Sequence, residues 1–278
     1  MPQGLLLPIA AAVLMAGTVT GAHAQTGSIA LAGYKAVYDL ALAPGADLPG
    51  LANVAGRTVT EFRGSSCAGY MTNVRFVTRT TNDEGKQLVD DVRATSFETP
   101  EGYFEFENDI YSGEQLRSRA AGTAERGEHE TTVKLTDPGE RAFDISADAV
   151  FPTEQVVRVI EAAIAGEHFL AFPLYDGTEE GETVYDTSTI IGAVSTAADD
   201  LGAETVVADA GMAGMRHWPV TIGYFKGDSR TEMTPAYTMS LILYENGITR
   251  DLKLDYGAYA LIGKLTHLEV LPSGACPE

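Results

Sequence analysis

The sequence predicts a mainly β protein, with a long antiparallel sheet and one principal amphipathic α-helix at about 152–166. Three observations support this fold class. Apolar and polar residues alternate along most of the chain, which is the period of a strand with one buried face. Short turn signals separate the alternating runs, and strands joined by short turns are antiparallel. One segment departs from the alternation and has helical spacing.

The first clear strand is YKAVYDLAL, in which Tyr34, Tyr38 and Leu40 fall on one face. The run RDLKLDY near the C-terminus alternates in the same way. Turn signals between such runs occur at Asn82–Gly85, Pro100–Gly102, Asp137–Gly139 and Asn246–Gly247. Because Asn-Gly is the strongest short-range hairpin signal, we expect a hairpin at the last of these turns.

The helical segment is FPTEQVVRVIEAAIAGE. Its apolar stripe comprises Val156, Val157, Ile160 and Ile164. Pro152 or Thr153 begins the predicted helix and Gly166 ends it, because proline suits the first helical position and glycine the C-terminal cap. A helix with so wide a stripe needs a surface to cover, so we expect it on the face or open end of the sheet.

The helix divides the strands into an N-terminal half at about 25–150 and a C-terminal half at about 151–278. No linker, repeat or low-complexity tract separates these halves, which predicts a single domain over 25–278.

The strand YTMSLILY is apolar on both faces, which predicts that both are covered. One face carries Tyr237, Met239, Leu241 and Leu243, and the other carries Ile242 and Tyr244. The helix, a second layer of sheet or a lipid-like ligand would each provide a cover. Packing within the protein is the favoured interpretation.

The first residues read as an export signal. An apolar run too short to span a bilayer precedes Ala22-His23-Ala24, a small-residue cleavage site, so residues 1–24 are predicted to be a cleaved signal peptide. The expected basic n-region is missing, since residues 2–24 contain no Lys or Arg. No later segment is long and apolar enough to span a membrane, and the sequence therefore predicts an exported, periplasmic protein.

Charge excludes one class of partner. The chain has 19 Lys and Arg against 39 Asp and Glu, a net charge of -20, without a basic cluster. Binding to nucleic acid depends on clustered cations, so no nucleic-acid partner is expected.

The sequence contains two cysteines, Cys67 and Cys276. In an oxidising compartment two free thiols rarely persist, which favours a disulfide between them. In the chain-entropy model, closing so long a loop stabilises the fold by about 5 kcal/mol. The alternative is that Cys67 is a nucleophile, which requires a base and an orienting partner that the sequence does not display.

No established catalytic motif is present. The G-x-S-x-G elbow, the phosphate-binding loops and the HExxH motif are all absent, and the stretch Gly64–Gly69 has alanine where the elbow needs glycine. The sequence therefore predicts no catalytic residue and no cofactor. A hydrolase acting on envelope polymers stays a remote alternative, because paired carboxylates are placed by the fold and not by sequence spacing.

Two groups of polar residues have alternative interpretations. Asp176, Glu179, Glu180 and Glu182 provide oxygen atoms of the kind that calcium prefers. A solvated acidic loop is favoured there, and no metal site is predicted. His217 and Trp218 are assigned to packing, and His267 is expected at the edge of the core, on the face that it shares with Leu265.

Several stretches, taken in order, carry a resemblance: the early "YDL-L" strand, "EFRGSSCAGY", "FPTEQVVRVIEAAIAGEHFLAFPLYDGTEEGETVYDTSTIIG" and "PAYTMSLILYENGITRDLKLDYGAYALIGKLTHLEVLPSGAC". They resemble the EipB family of cell-envelope integrity proteins from Gram-negative bacteria. The resemblance implies a long antiparallel sheet curled into a spiral or half-open barrel. It further implies a helix in the concavity, at Phe151–Gly166, and a disulfide between Cys67 and Cys276. The missing basic n-region is the one departure.

For function, the resemblance implies maintenance of the envelope from the periplasm, with a periplasmic tetratricopeptide-repeat protein as partner. A non-enzymatic binding or scaffolding role is therefore the first hypothesis. The second is a carrier of lipid or acylated polypeptide, because the implied shape is similar to that of periplasmic lipoprotein carriers. Shape alone is an analogy.

Overall fold

The computed structural model describes residues 29–45, 50–197, 205–227, 234–272, 274 and 276. The predicted signal peptide, residues 1–24, lies outside these ranges. The strands are β1 Gly33–Leu42, β2 Leu51–Ser65, β3 Gly69–Asn82, β4 Gln87–Glu98, β5 Tyr103–Ser112, β6 Gln115–Arg126, β7 Glu130–Asp137, β8 Arg141–Ser146, β9 Phe169–Tyr175, β10 Val184–Ile191, β11 His217–Lys226, β12 Tyr237–Tyr244, β13 Thr249–Asp255 and β14 Ala260–Leu271. The helices are α1 Pro152–Ala165 and α2 Val206–Asp209.

All the strands belong to one antiparallel sheet, which confirms the predicted fold class. Their order is β8-β7-β6-β5-β4-β3-β2-β1-β14-β13-β12-β11-β10-β9. Each half of the chain is therefore a meander of neighbouring hairpins, and the two meanders meet where β1 pairs with β14. The four predicted turn signals all lie between paired strands.

The sheet is curled upon itself. β5 and β9 lie far apart in the strand order, yet the rings of Phe104 and Tyr175 are 6.3 Å apart, in an edge-to-face contact. Val150, in the link between β8 and α1, also forms a parallel bridge with Leu174 on β9. The accumulated twist of a long sheet permits such curling. The spiral or half-open barrel is thus confirmed.

The helix α1 begins and ends where the sequence predicts. Proline lies in its first turn, and Gly166 follows in the left-handed conformation, with φ 79°. The amides of Gly166 and Glu167 donate to carbonyl groups of the last turn. Val159 and Ile160 are fully buried, whereas Ile164 of the predicted apolar stripe is 42% exposed and lies outside the buried face.

The buried face of α1 fills the concave side of the C-terminal half. It packs against inward-facing side chains of β11 and β12, including Trp218, Val220 and Leu243. Phe62 and Tyr70, from β2 and β3, close the same cluster from the N-terminal half. The interior is therefore packed protein instead of an open chamber. Within the described ranges, neither helix has the length and apolarity that a bilayer crossing requires.

The two-sided strand β12 is covered by the protein on both faces. Tyr237, Met239 and Leu241 contact the cluster around α1. Ile242 and Tyr244 pack in a second cluster, to which α2 and the loop after it contribute Val207 and Met212. The predicted packing interpretation of this strand is correct, although the second cover is a short helix and not another layer of sheet.

Candidate functional site

The disulfide fixes the end of the chain to the turn between β2 and β3. Cys67 and Cys276 are bonded, with their Cα atoms 5.7 Å apart. Next to the bond, the Gly274 amide donates to the Gly64 carbonyl at 3.1 Å. The nucleophile alternative for Cys67 is wrong, because a bonded sulfur has no thiolate to attack with. This corner joins the two halves covalently.

The acidic loop after β9 contacts the N-terminal half of the sheet. Gly177 and Gly181 take positive φ values of 70° and 77°, and they press against Phe106 and Leu135 on the N-terminal half. The Tyr175 hydroxyl donates to the Gly181 carbonyl at 2.8 Å. Side chains would not fit at these glycines, so the loop closely follows the inner face of the sheet.

The carboxylates of this loop are divided among separate partners. Glu179 pairs with Lys226 at 3.0 Å and Glu182 pairs with Arg141. Asp176 accepts hydrogen bonds from the amide and hydroxyl of Thr178. In the part of the chain that the structure describes, no three Asp, Glu, His or Cys side chains converge as a metal-binding group.

The two histidines singled out in the sequence have different surroundings. His217 is buried, and its Nδ1 lies 2.9 Å from the Met215 carbonyl, so its assignment to packing is correct. His267 is exposed, and its placement on the face of Leu265 is wrong. A β-bulge lies between Val37 and Tyr38 in the pairing of β1 with β14, and a bulge moves the following side chains to the other face.

A groove runs along the exposed side of α1, where β9 faces the turns of the N-terminal half. It consists of adjoining cavities of about 260 and 940 Å³, both lined by Ile29 and Glu161. We call it the seam groove. Its other lining side chains include Ser66, Tyr70, Glu98, Arg126, Phe151 and Val157 near the start of α1, and Arg158, Ile164, Leu170 and Phe172 near its end.

At the start of the groove, a carboxylate from β4 caps α1. The residue before the helix, Phe151, has no side chain able to cap it. Instead, Glu98 accepts hydrogen bonds from the amides of Thr153 at 2.7 Å and Glu154 at 2.8 Å. These amides belong to the first turn of the helix, where backbone N–H groups lack intrahelical partners. Burial raises the pKa of Glu98 to about 7, although both amides favour its charged form.

Arg126 on β6 completes this end of the groove. Its guanidinium donates to Glu154 and to the Ala149 carbonyl, and lies 5.1 Å from the centre of the Phe151 ring. The ion pair and the ring contact hold β6 to the start of α1. Neither Glu98 nor Arg126 could be assigned this role from the sequence, because the hydrogen bond from Thr153 to Glu98 spans 55 residues.

The far end of the groove is apolar and lies beside a sheet edge. β9 is the last strand of the sheet. Phe169 and Ile190 face each other across β9 and β10, and their side chains are 61% and 60% exposed. Ile164, at the end of α1, is exposed nearby. Exposed apolar side chains beside a strand edge are typical of interaction sites.

The fold and the groove define a class: a β-barrel-like protein whose curled sheet encloses a helix and leaves an apolar groove at its seam. The comparisons agree with this class. The chain matches the EipB-like family over residues 25–272, and it belongs to that family.

The chain is similar to a named protein sequence and to a crystal structure, both from Brucella abortus. The cell envelope integrity protein EipB of Brucella abortus (strain 2308) is 36% identical over 265 residues, covering 95% of this chain and 93% of the relative. A crystal structure of a beta-barrel-like protein from Brucella abortus, described as a domain of unknown function, is also similar. It superposes with a TM-score of 0.79 at 36% identity, covering 88% of this chain and 100% of the other.

Proposed function

We propose that this protein supports the integrity of the cell envelope as a non-enzymatic binding protein, and that the seam groove holds its partner. The name of the Brucella abortus relative supports the envelope role. The observation that carries the binding role is the apolar end of the groove beside the sheet edge, where Ile164 is exposed and Leu170 and Phe172 are partly buried. Burying such a surface against a partner is favourable in water.

The proposed location is the periplasm. The sequence pattern of residues 1–24 is that of an export signal, and the disulfide is of the kind that forms in oxidising compartments. A periplasmic tetratricopeptide-repeat protein is the proposed partner. Such proteins stack helix pairs into concave surfaces that bind other polypeptides.

A photo-crosslinking experiment tests the proposal. A photoreactive amino acid replaces Val157 or Ile164 in the groove, and Val59, exposed on the opposite side of the sheet, serves as the matched control. In envelopes of the native host, both groove positions should capture the same periplasmic protein, and Val59 should not. Capture that is equal at all three positions, or absent at all of them, would contradict the proposal.

A carrier of lipid or acylated polypeptide is the second candidate. It is less well supported, because α1 occupies the concave face on which a carrier would hold an acyl chain. Mass spectrometry of protein purified from the periplasm tests it: stoichiometric bound lipid would favour the carrier over the scaffold. An envelope-polymer hydrolase has the least support, because the sequence carries none of the established hydrolase motifs considered above.

A further inference from the structure

We infer that the free edge of β9 binds an extended polypeptide segment, apolar and flanked by basic residues, which pairs with Phe169–Phe172 as an added strand. This inference rests on the proposed function, because it specifies how the partner occupies the seam groove.

The backbone of β9 offers an unused hydrogen-bonding edge. At its C-terminal end the edge is taken by Val150, whose amide donates to the Pro173 carbonyl and whose carbonyl accepts from the Tyr175 amide, both at 2.9 Å. Residues two apart direct their backbone groups to the same edge, so Phe169 and Ala171 also face it. Within the described residues, neither has a backbone partner on that side.

Pro173 agrees with this assignment. A proline has no amide hydrogen, and within sheets it is confined to edges, strand starts and bulges. The backbone of Pro173 faces the free edge of β9, so its lack of an amide hydrogen leaves no donor unpaired there. Pro173 uses only its carbonyl to form a hydrogen bond at this edge. Through the bridge at Val150, this edge already pairs with one residue from outside the meander, and Phe169–Phe172 continue the same edge.

An added strand at the β9 edge would find apolar side chains on both faces of the sheet. Leu170 and Phe172 point to the inner side and line the groove, while Phe169 lies on the outer side, opposite Ile190. Successive side chains of a strand alternate between two faces. An added strand would therefore cover the groove with one set of side chains and the pair formed by Phe169 and Ile190 with the other.

The charges at the rim of the seam groove indicate which residues should flank the apolar segment of the bound polypeptide. Glu161 and Glu167 are exposed there, and neither has an ion-pair partner within the described ranges. Arg158, the cation of this part of the rim, pairs with Glu154 at 2.6 Å. The chain also has a net charge of -20. Lysine or arginine beside the apolar segment would therefore be attracted.

Three observations favour this occupant over others. An acyl chain cannot donate or accept hydrogen bonds at the unpaired backbone groups of Phe169 and Ala171. A second copy of this chain carries the same negative charge and would be repelled. The other edge strand, β8, exposes Arg141 and Asp144 along its length, and charged residues are a common protection of edges against pairing. The β9 edge has no such charges.

The test uses the full chain without its signal peptide and a blocked eight-residue peptide of alternating valine and threonine with a lysine at each end. Hydrogen exchange is followed by NMR at the amides of Phe169 and Ala171. Peptide binding should slow exchange at both amides, and exchange at Leu170, which is bonded to β10, should change little. A matched peptide with glutamate at each end should bind more weakly.

Two variants separate backbone pairing from other contacts. Ala171→Pro removes the edge amide, and it should weaken binding about tenfold because one hydrogen bond and its neighbours are lost. Ala171→Val keeps the amide and should bind within about twofold, since edge positions accept β-branched residues. The wild-type exchange experiment stands even if Ala171→Pro fails to fold.

Each outcome decides the inference. Unchanged exchange at Phe169 and Ala171 with millimolar peptide overturns it, as do equal affinities of the two Ala171 variants, peptide-independent dimerisation through β9, or displacement of the peptide by phospholipid vesicles. If the groove positions still capture a periplasmic protein, strand addition fails while the proposed function stands. If the amides are protected but no protein is captured in envelopes, the proposed function fails while the edge site stands.

Discussion

The two halves of the sheet have similar strand patterns but very different coverage. In the C-terminal half, α1 buries the inward-facing side chains. In the N-terminal half, a cross-strand row runs from Tyr38 on β1 through Phe76 to Ile110 on β5. Exposure along this row rises from 4% at Tyr38 to 39% at Ile110. The same face of one sheet is thus core at one end and surface at the other.

This difference shows that the elements lying over the sheet, and not strand alternation, determine where the core lies. The helix α1 contributes to one core cluster, α2 contributes to a second, and Phe151 and Tyr175 complete a third against Phe104 and Phe106. Alternation gives each strand an apolar face, but a face is buried only where another element covers it. The two halves are then held together at a few points: the disulfide, the cap from Glu98 and the contact of the acidic loop with β5 and β7.

Loss of the covalent link between the halves should have the largest effect. Cys67→Ser opens a loop closed over 209 residues, and the free energy of unfolding should fall by up to about 5 kcal/mol in the chain-entropy model. Urea unfolding in oxidising buffer measures this loss. Reduced wild-type protein is the control and should resemble the variant. An unchanged midpoint would show that the bond contributes nothing to coupling the halves.

A matched pair of truncations tests the difference in coverage directly. Ile160→Ala, in the buried face of α1, should destabilise the protein by about 2–5 kcal/mol through the cavity it leaves. Ile110→Ala, on the open part of the N-terminal half, should cost under about 1 kcal/mol because its side chain already contacts water. Chemical unfolding measures both. Equal losses would mean that the N-terminal half is covered in solution.

The cap across the two halves should make stability depend on pH. Because burial raises the pKa of Glu98 from 4.5 to about 7, the folded protein holds this proton more tightly than the unfolded chain. The contribution of the protonated Glu98 carboxyl to the free energy of unfolding is complete below about pH 4.5. It is lost as pH rises through 7, by up to about 3 kcal/mol.

Glu98→Gln is the matched variant for this prediction, since it stays neutral and keeps one oxygen for the helix amides. Its free energy of unfolding, measured from pH 5 to 8, should decline less than that of the wild type. Glu154, whose amide donates to Glu98, and Arg126, which pairs with Glu154, are unchanged in both proteins. If the free energies of unfolding of the two proteins changed with pH in parallel, the pKa of Glu98 would not be raised in the folded protein.

Local signals accounted for much of the fold. Proline in the first turn and Gly166 after the last fixed the ends of α1, and short turns such as Asn246-Gly247 predicted antiparallel pairing. The two cysteines indicated their bond because of the expected compartment. The spiral came from resemblance and not from periodicity, since curling depends on twist accumulated over the whole sheet.

The features that sequence reasoning missed depend on contacts between distant residues. Glu98 looks like the last residue of an ordinary strand, and nothing near Thr153 indicates that it caps a helix. The face of His267 was misjudged because a bulge is not visible as a break in alternation. The seam groove likewise combines α1, β9 and the disulfide corner, which only the curled sheet brings together.

The strand order also has a consequence for how the molecule reaches its native state. Of the strand pairs in the described part of the chain, β1–β14 alone joins strands that are not neighbours in sequence. Every other pair is local and of low contact order, so hairpins can form as soon as their residues are available. β1 can complete its pairing only after β14 has formed. Until these two strands pair, the unpaired edge of each is exposed and open to mispairing with other chains.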